Sequence, residues 1–241
     1  MQANTTQDGR IEASNDGGGS GNPGIRQQAN NGGLLDDALL RLEQRLGRDV
    51  RKNQGAGIRT EEDLDRRNRE DEEALEQLAK EQGKWVEEVD ELLAGKFGAH
   101  ITQGSEAFVY SKDNNSVIKS RSLVGYDTVF EALESIRIHN RLFPETAMTI
   151  LAFGRSDGEF TAILEQPRIE GRFADNEETL RFVQDRFGAV KDDSVIGGTS
   201  YITSQYKLQD LKPKNVIANR SEGELKMFVV DGDFYGVGDM V

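Results

Sequence analysis

Residues 209–216 read Gln209-Asp210-Leu211-Lys212-Pro213-Lys214-Asn215-Val216. An apolar run, Met227-Phe228-Val229-Val230, follows and closes on Asp231-Gly232-Asp233-Phe234. The pattern is D-L-K-P-x-N, then a β-type run that ends in a carboxylate. These residue types suit phosphoryl transfer. An acid such as Asp210 can accept a hydroxyl proton, and Lys212 can neutralise a transferring phosphate. Asn215 and Asp231 are hard oxygen ligands suited to Mg²⁺. Asp233 is the alternative metal ligand, and Asp231 is preferred because it directly ends the apolar run. Lys-Pro-Lys-Asn is by itself ordinary turn chemistry, so the acid at the strand end carries much of the reading.

Composition narrows the classes open to the chain. Its 241 residues suffice for one sizeable core, or for a medium domain with appendages. A net charge of −13 argues against nucleic acid as a partner, because phosphate is repelled at long range. The absence of cysteine excludes disulfides and thiolate zinc sites. The two histidines, His100 and His139, are too few for a multi-histidine metal centre. The N-terminus lacks a basic-then-apolar signal pattern, and no apolar run approaches membrane-spanning length. The expectation is a soluble, cytoplasmic protein without a membrane partner.

Taken in order, Met1 to Gly33 is polar and Gly-rich and predicts a flexible tail or spacer. Leu34, Leu35, Ala38, Leu39, Leu42 and Leu46 follow one helical face, with Gly47 as the expected stop. Thr60 is the expected N-cap of a long charged helix that Gly83 should break. A third helix is expected to carry Trp85, Val86, Val89, Leu92 and Leu93 and to end near Gly95. Residues 34–96 thus read as a helical extension. Its apolar stripes predict packing on the neighbouring domain or on each other, with a partner-binding surface as the alternative.

From Phe97 the texture changes. Ile101 to Tyr110 and Val117-Ile118-Lys119 predict a β-hairpin turning at Asp113 to Ser116. Asp127 to Leu142 predicts a helix capped by Thr128 or Asp127 and ended by Pro144. His139 reads as a packed or capping side chain. Ile150 to Gly154 and Phe160 to Leu164 predict a second hairpin turning at Ser156-Asp157-Gly158. Asn176 starts a short helix through Phe187, and Val195 to Ser204 reads as a loose hairpin or loop.

Four short patterns together resemble the polyvalent protein kinase family of phage and mobile-element proteins. They are G-x-E-x-x-V-Y at Gly104–Tyr110, H-N-x-L-F-P-E-T at His139–Thr146, E-Q-P at Glu165–Pro167 and D-L-x-P-x-N-V at Asp210–Val216. The resemblance covers about Leu75 to Val241. It implies that Gly104 and Glu106 belong to a nucleotide-covering loop of RIO-like form, with Ala107 where the usual loop has its last glycine. It implies that Lys119 pairs with phosphate oxygens and that Glu131, or alternatively Glu134, stands behind that lysine. It makes Glu165-Gln166-Pro167 the hinge that offers backbone groups to adenine. Two departures from regulated kinases stand out. Gln209 precedes the catalytic acid where those kinases carry Arg, and the sequence as it stands shows no activation segment or A-P-E stretch after Asp233.

The fold expectation is α+β: a minimal two-lobed protein-kinase-like domain over 97–241, with a helical extension before it. The small lobe should span about 97–164 and the truncated large lobe about 168–241. The function expectation is an ATP- and Mg²⁺-dependent phosphotransferase acting on a hydroxyl of an unidentified protein. The alternatives are a pseudokinase that serves as a binding module, and a kinase of small molecules.

Overall fold

The structure is a computed structural model, and it describes residues 33–52, 60–103, 107–194, 199–221 and 223–237. The tail before Gly33, the loop residues Gly104 to Glu106 and the Gly197-Gly198 pair lie outside the described residues.

Helix α1 (Leu34–Lys52) runs on through Gly47, where a stop was expected. One glycine inside a helix costs only about 1 kcal/mol, and the buried face of Leu34, Ala38, Leu39 and Leu42 outweighs it. Helix α2 (Glu61–Glu81) starts as expected at Thr60, which forms a capping box with Asp63. Gly83 ends the segment in a left-handed turn, φ 65°. The third element departs from expectation. Trp85–Val86 form a short strand, β1, and helix α3 starts only at Val89 and ends at Phe97. The cause is tertiary: β1 adds in parallel to the edge of strand β5 (Thr149–Ser156), with Trp85 opposite Phe153. An open sheet edge offers hydrogen bonds that periodicity in the sequence does not reveal.

Strands β2 (Thr102–Gln103), β3 (Ala107–Ser111) and β4 (Ser116–Ser122) follow. The β3–β4 turn is tied by the Asp113 carboxylate, which accepts from the amides of Asn115 and Ser116 at 2.7 and 2.8 Å. Helix α4 (Val129–Leu142) is capped by Thr128 and gives way at Pro144 to a 3₁₀ turn, Pro144–Thr146. β5 and β6 (Glu159–Pro167) form the second hairpin. Its turn residues Asp157 and Gly158 both have positive φ, 49° and 84°, as a type I′ turn requires. The larger sheet runs in the order β1-β5-β6-β4-β3-β2.

The remainder comprises β7 (Arg172–Phe173), α5 (Asn176–Phe187), β8 (Val190–Lys191), β9 (Tyr201–Ile202) and β10 (Tyr206–Gln209). A 3₁₀ turn at Pro213–Asn215 leads into β11 (Val216–Ser221), β12 (Glu224–Val229) and β13 (Asp233–Gly236). These strands make two small sheets, β13-β10-β9-β8 and β12-β11-β7. The architecture is therefore mixed helix and sheet, α+β.

Among the described residues, three apolar clusters hold it together. In the first, α1, α2 and α4 meet β5 and β6 through Leu42, Leu75, Leu133, Phe153 and Phe160. A second, built on Phe143, Val183, Leu211, Val229 and Phe234, lies beneath the 209–216 stretch. The third, with Leu93, Tyr110 and Ile118, covers the opposite face of the larger sheet. On β4, Ile118 enters this third cluster, and its neighbours Val117, Lys119 and Arg121 therefore point to the other face.

Candidate active site

That face of β4 forms one wall of a cavity of about 360 Å³, within the range of small-molecule sites. Lys119, Asp210, Asn215, Asp231 and Asp233 all line it. The structure thus brings together residues from β4, the 209–216 stretch and the segment after β12. Val109, Val117, Ile217 and Phe173 supply apolar lining.

Asp210 has φ 55°, a left-handed backbone that Asp tolerates better than most side chains. The bend lets its carbonyl accept from the Lys212 amide at 2.7 Å. Asn215 donates its amide to that same carbonyl at 2.8 Å and to Asp210 Oδ2 at 3.0 Å. Lys212 pairs with Asp210 Oδ1. Both carboxylate oxygens are therefore held from within the loop. Leu211, fully buried, pins the stretch to the apolar cluster below. Lys212 is not among the cavity-lining residues; its ammonium stands on Asp210.

Val230 links the loop to β4. Its amide donates to the Asn215 carbonyl at 2.9 Å, and its carbonyl accepts from Lys119 Nζ at 2.6 Å. Lys119 is 5% exposed. Burial pulls its ammonium below the usual range, opposed by the charge of Asp231. For Asp231 itself, desolvation pushes the carboxyl up. The charges of Lys119 and Arg121, with the Gly232 amide, outweigh that and hold it low. Asp233 behaves oppositely: its burial dominates and raises it.

The two aspartates are joined by Arg121, a residue that the sequence reading did not single out. Arg121 Nη1 lies 3.5 Å from Asp231 Oδ1, and Nη2 lies 3.0 Å from Asp233 Oδ1. Tyr126 also donates to Asp233. The signal was present in the strand alternation, since Lys119 and Arg121 are two apart and must share a face.

The expected lysine–glutamate pair is not formed. Lys119 has the Val230 carbonyl and the Asp231 charge instead. Glu131 lies near enough to Tyr235 to raise its phenol, and Glu134 pairs with Arg137 at 2.6 Å. The acid available to the lysine, Asp231, sits in the segment after β12, so no helix acid is needed to satisfy it. Glu165, expected at the hinge for its backbone groups, turns its side chain away from the cavity. Its side chain pairs with Lys112, whereas Gln166, Pro167 and Arg168 line the cavity. Alternation along β6 turns neighbouring side chains to opposite faces.

Two of the four sequence patterns, His139–Thr146 and Glu165–Pro167, meet in one buried network that reaches Val229. Thr146 donates its hydroxyl to the Val229 carbonyl at 2.6 Å. The Thr146 carbonyl accepts from Gln166 at 2.7 Å and from His139 Nε2 at 3.0 Å. His139 is packed, as expected, between the rings of Phe143 and Phe234.

A family model described as serine/threonine/tyrosine kinase found in polyvalent proteins matches residues 68–237. The chain belongs to this family. Comparison with curated proteins and with solved structures gave no match. Membership places the chain among kinases, whose chemistry calls for ATP and usually a divalent metal. The donor set fits a hard cation. Asn215 commits its amide protons to Asp210 and leaves its carbonyl oxygen as an acceptor, and Asp231 is held ionised beside it in the same cavity lining. Among the described residues no cluster of three or more His, Cys, Asp or Glu is suited to a metal. Mg²⁺, which keeps several waters and phosphate oxygens as ligands, needs only one or two carboxylates. No helix among the described residues is long and apolar enough to cross a membrane.

Proposed function

We propose that the chain transfers the γ-phosphoryl group of Mg·ATP to a hydroxyl group, with a protein side chain as the acceptor. The observation that carries this reading is the shared cavity lining of Lys119, Asp210, Asn215 and Asp231. A surface loop with turn chemistry alone would not require a buried lysine, an amide and two acids to converge on one cleft.

Asp210 receives the acceptor's proton while the acceptor oxygen bonds to phosphorus and the bridging oxygen leaves with ADP. Lys212 holds Oδ1 of Asp210 before nucleotide arrives. Moving to the transferring phosphoryl oxygens frees that carboxylate oxygen for the proton. Asn215 and Asp231 hold Mg²⁺, which when bound neutralises charge on the β- and γ-phosphates. Lys119 meets phosphate oxygens as a point charge. In this reading the sheet of β2–β6 and the β7–β13 segment act as the small and large lobes of a minimal kinase. The helices α1 and α2 form its N-terminal extension.

A thermal-shift titration tests the reading. Mg·ADP at about a hundred times its dissociation constant should stabilise the fold by roughly 2.7 kcal/mol, and ADP without Mg²⁺ should do much less. Labelled ATP with candidate protein and small-molecule acceptors then assigns the substrate class. No response to either nucleotide would favour a binding module on a kinase scaffold.

A further inference from the structure

Arg121 and Tyr126 take no part in the roles assigned above, yet both are buried at the cleft, at 3% and 8% exposure. Arg121 spans the two aspartates with its two terminal nitrogens. Its Nη2 also donates to Tyr126 Oη at 2.6 Å. Tyr126 in turn donates to Asp233 and lies 3.3 Å from Ser135 Oγ on α4. Ser135 Oγ accepts the amide of Phe234 at 2.9 Å. The acidic segment 231–234 is thus fastened to α4 through hydroxyls and to β4 through a guanidinium.

On the phosphotransferase reading, we infer that Arg121 is a positioning residue for the metal site and that Asp233 is its anchor. Asp233 holds Nη2, which fixes the plane of the guanidinium, and Nη1 then sets the Asp231 carboxylate. This clamp ties α4 to the metal-bearing segment, the task for which a helix glutamate was expected. It also assigns the second aspartate of Asp231-Gly232-Asp233 to the clamp and not to the metal. A lysine could not replace Arg121. An ammonium is a point charge, whereas the planar fork reaches two carboxylates at once.

The experiment follows Mg²⁺-dependent ADP binding, read as a thermal shift, in the full chain and in R121K, Y126F, D231N and D233N variants. R121K retains the charge and should remain folded. The Mg²⁺ concentration for half-maximal shift should rise about 10–100-fold in R121K, the usual range for losing a residue that orients a metal ligand. Y126F should move it in the same direction by less. D233N should resemble R121K, while D231N should abolish the Mg²⁺ response. Should R121K fail to fold, the double variant R121Q/D233N removes both charges of the pair, and it should recover melting temperature without recovering Mg²⁺ affinity. A merely structural arginine would be rescued in both measures. R121K with wild-type Mg²⁺ dependence, or D233N with the D231N phenotype, overturns the inference. Wild type without any Mg·ADP response overturns the phosphotransferase reading and this inference with it.

Discussion

Lys119 donates its ammonium to the carbonyl of Val230 at 2.6 Å, one residue before Asp231. The same Val230 receives the loop through its amide, which donates to Asn215. One residue, Val230, therefore sets the spacing between Lys119, Asn215 and Asp231. Lys119→Met should leave a partly buried carbonyl without its donor, at a cost of about 1–3 kcal/mol. It should also weaken Mg·nucleotide binding. Urea denaturation alongside an ADP titration checks both. A variant as stable as wild type with unchanged ADP affinity would show that Lys119 neither braces Val230 nor meets phosphate.

Asp210→Asn and Asp231→Asn should separate chemistry from binding. On the proposed mechanism Asp210 stands at the acceptor, so its amide variant should lose about 10²–10⁴-fold in transfer and keep Mg·ATP affinity. Asp231→Asn should lose both, because it removes negative charge from the proposed metal site. The measurement is initial-rate kinetics with a parallel Mg·ATP binding titration. Equal transfer rates in both variants and wild type would reduce Asp210 to a turn residue.

Acid should weaken the fold through His139. Burial lowers its folded pKa from 6.5 to about 4, only partly opposed by its bond to Thr146. Between those values the unfolded chain binds the proton and the folded chain resists it, so stability rises with pH across this window. Full stability is present above about pH 6.5, and roughly 3 kcal/mol is lost as pH falls toward 4. Asp233, whose folded pKa is raised by burial, favours the folded state at low pH and offsets part of the loss. His139→Gln should flatten the profile of urea midpoint against pH between 4.5 and 6.5. An unchanged slope would rule out His139 as its source.

Gly154→Ala should destabilise the protein without touching the site. A Cβ there would lie 2.2 Å from the Val86 carbonyl oxygen and 2.6 Å from Val89 Cγ2. The first obstacle is backbone, so it cannot rotate away. Overpacking of this kind costs about 1–3 kcal/mol or more. The readout is the melting temperature, with Gly158→Ala as a comparison of another type: it has open space but a strained φ of 84°. A Gly154→Ala protein melting like wild type would mean that β1 does not dock against β5 as described.

Thr146→Val keeps the shape of a buried side chain and removes one hydroxyl. The Val229 carbonyl would lose that donor, at about 1–3 kcal/mol. Because Thr146 also collects Gln166 and His139, nucleotide affinity should fall with stability. Thr146→Ser, which retains the hydroxyl, should recover most of both. Equal behaviour of the Val and Ser variants in denaturation and ADP binding would remove the network from any role at the cleft.

Local chemistry determined much of this protein from the sequence alone. Thr60 and Thr128 cap their helices because a hydroxyl satisfies a free amide wherever the chain turns helical. Pro144 stops α4 and Asp157-Gly158 closes a hairpin for equally local reasons. The spacing of Asp210, Lys212 and Asn215 already implied a loop in which they meet, because a 3₁₀ turn after Pro213 brings residues so few positions apart together. Tertiary structure decided what depends on partners far away in sequence. Trp85 and Val86 have a helical pattern, yet they became a strand because β5 presented an open edge. Lys119 was legible as a strand lysine, but its partner, the Val230 carbonyl 111 residues onward, was not. Glu131 lost the place expected for it because the acid that balances Lys119 comes from the segment after β12. Arg121 gained a place because β4 aims two cations at two aspartates whose distance from it no local periodicity encodes. A buried charge must be matched by whichever opposite charge the packed chain brings nearest, and only the folded chain determines which one that is.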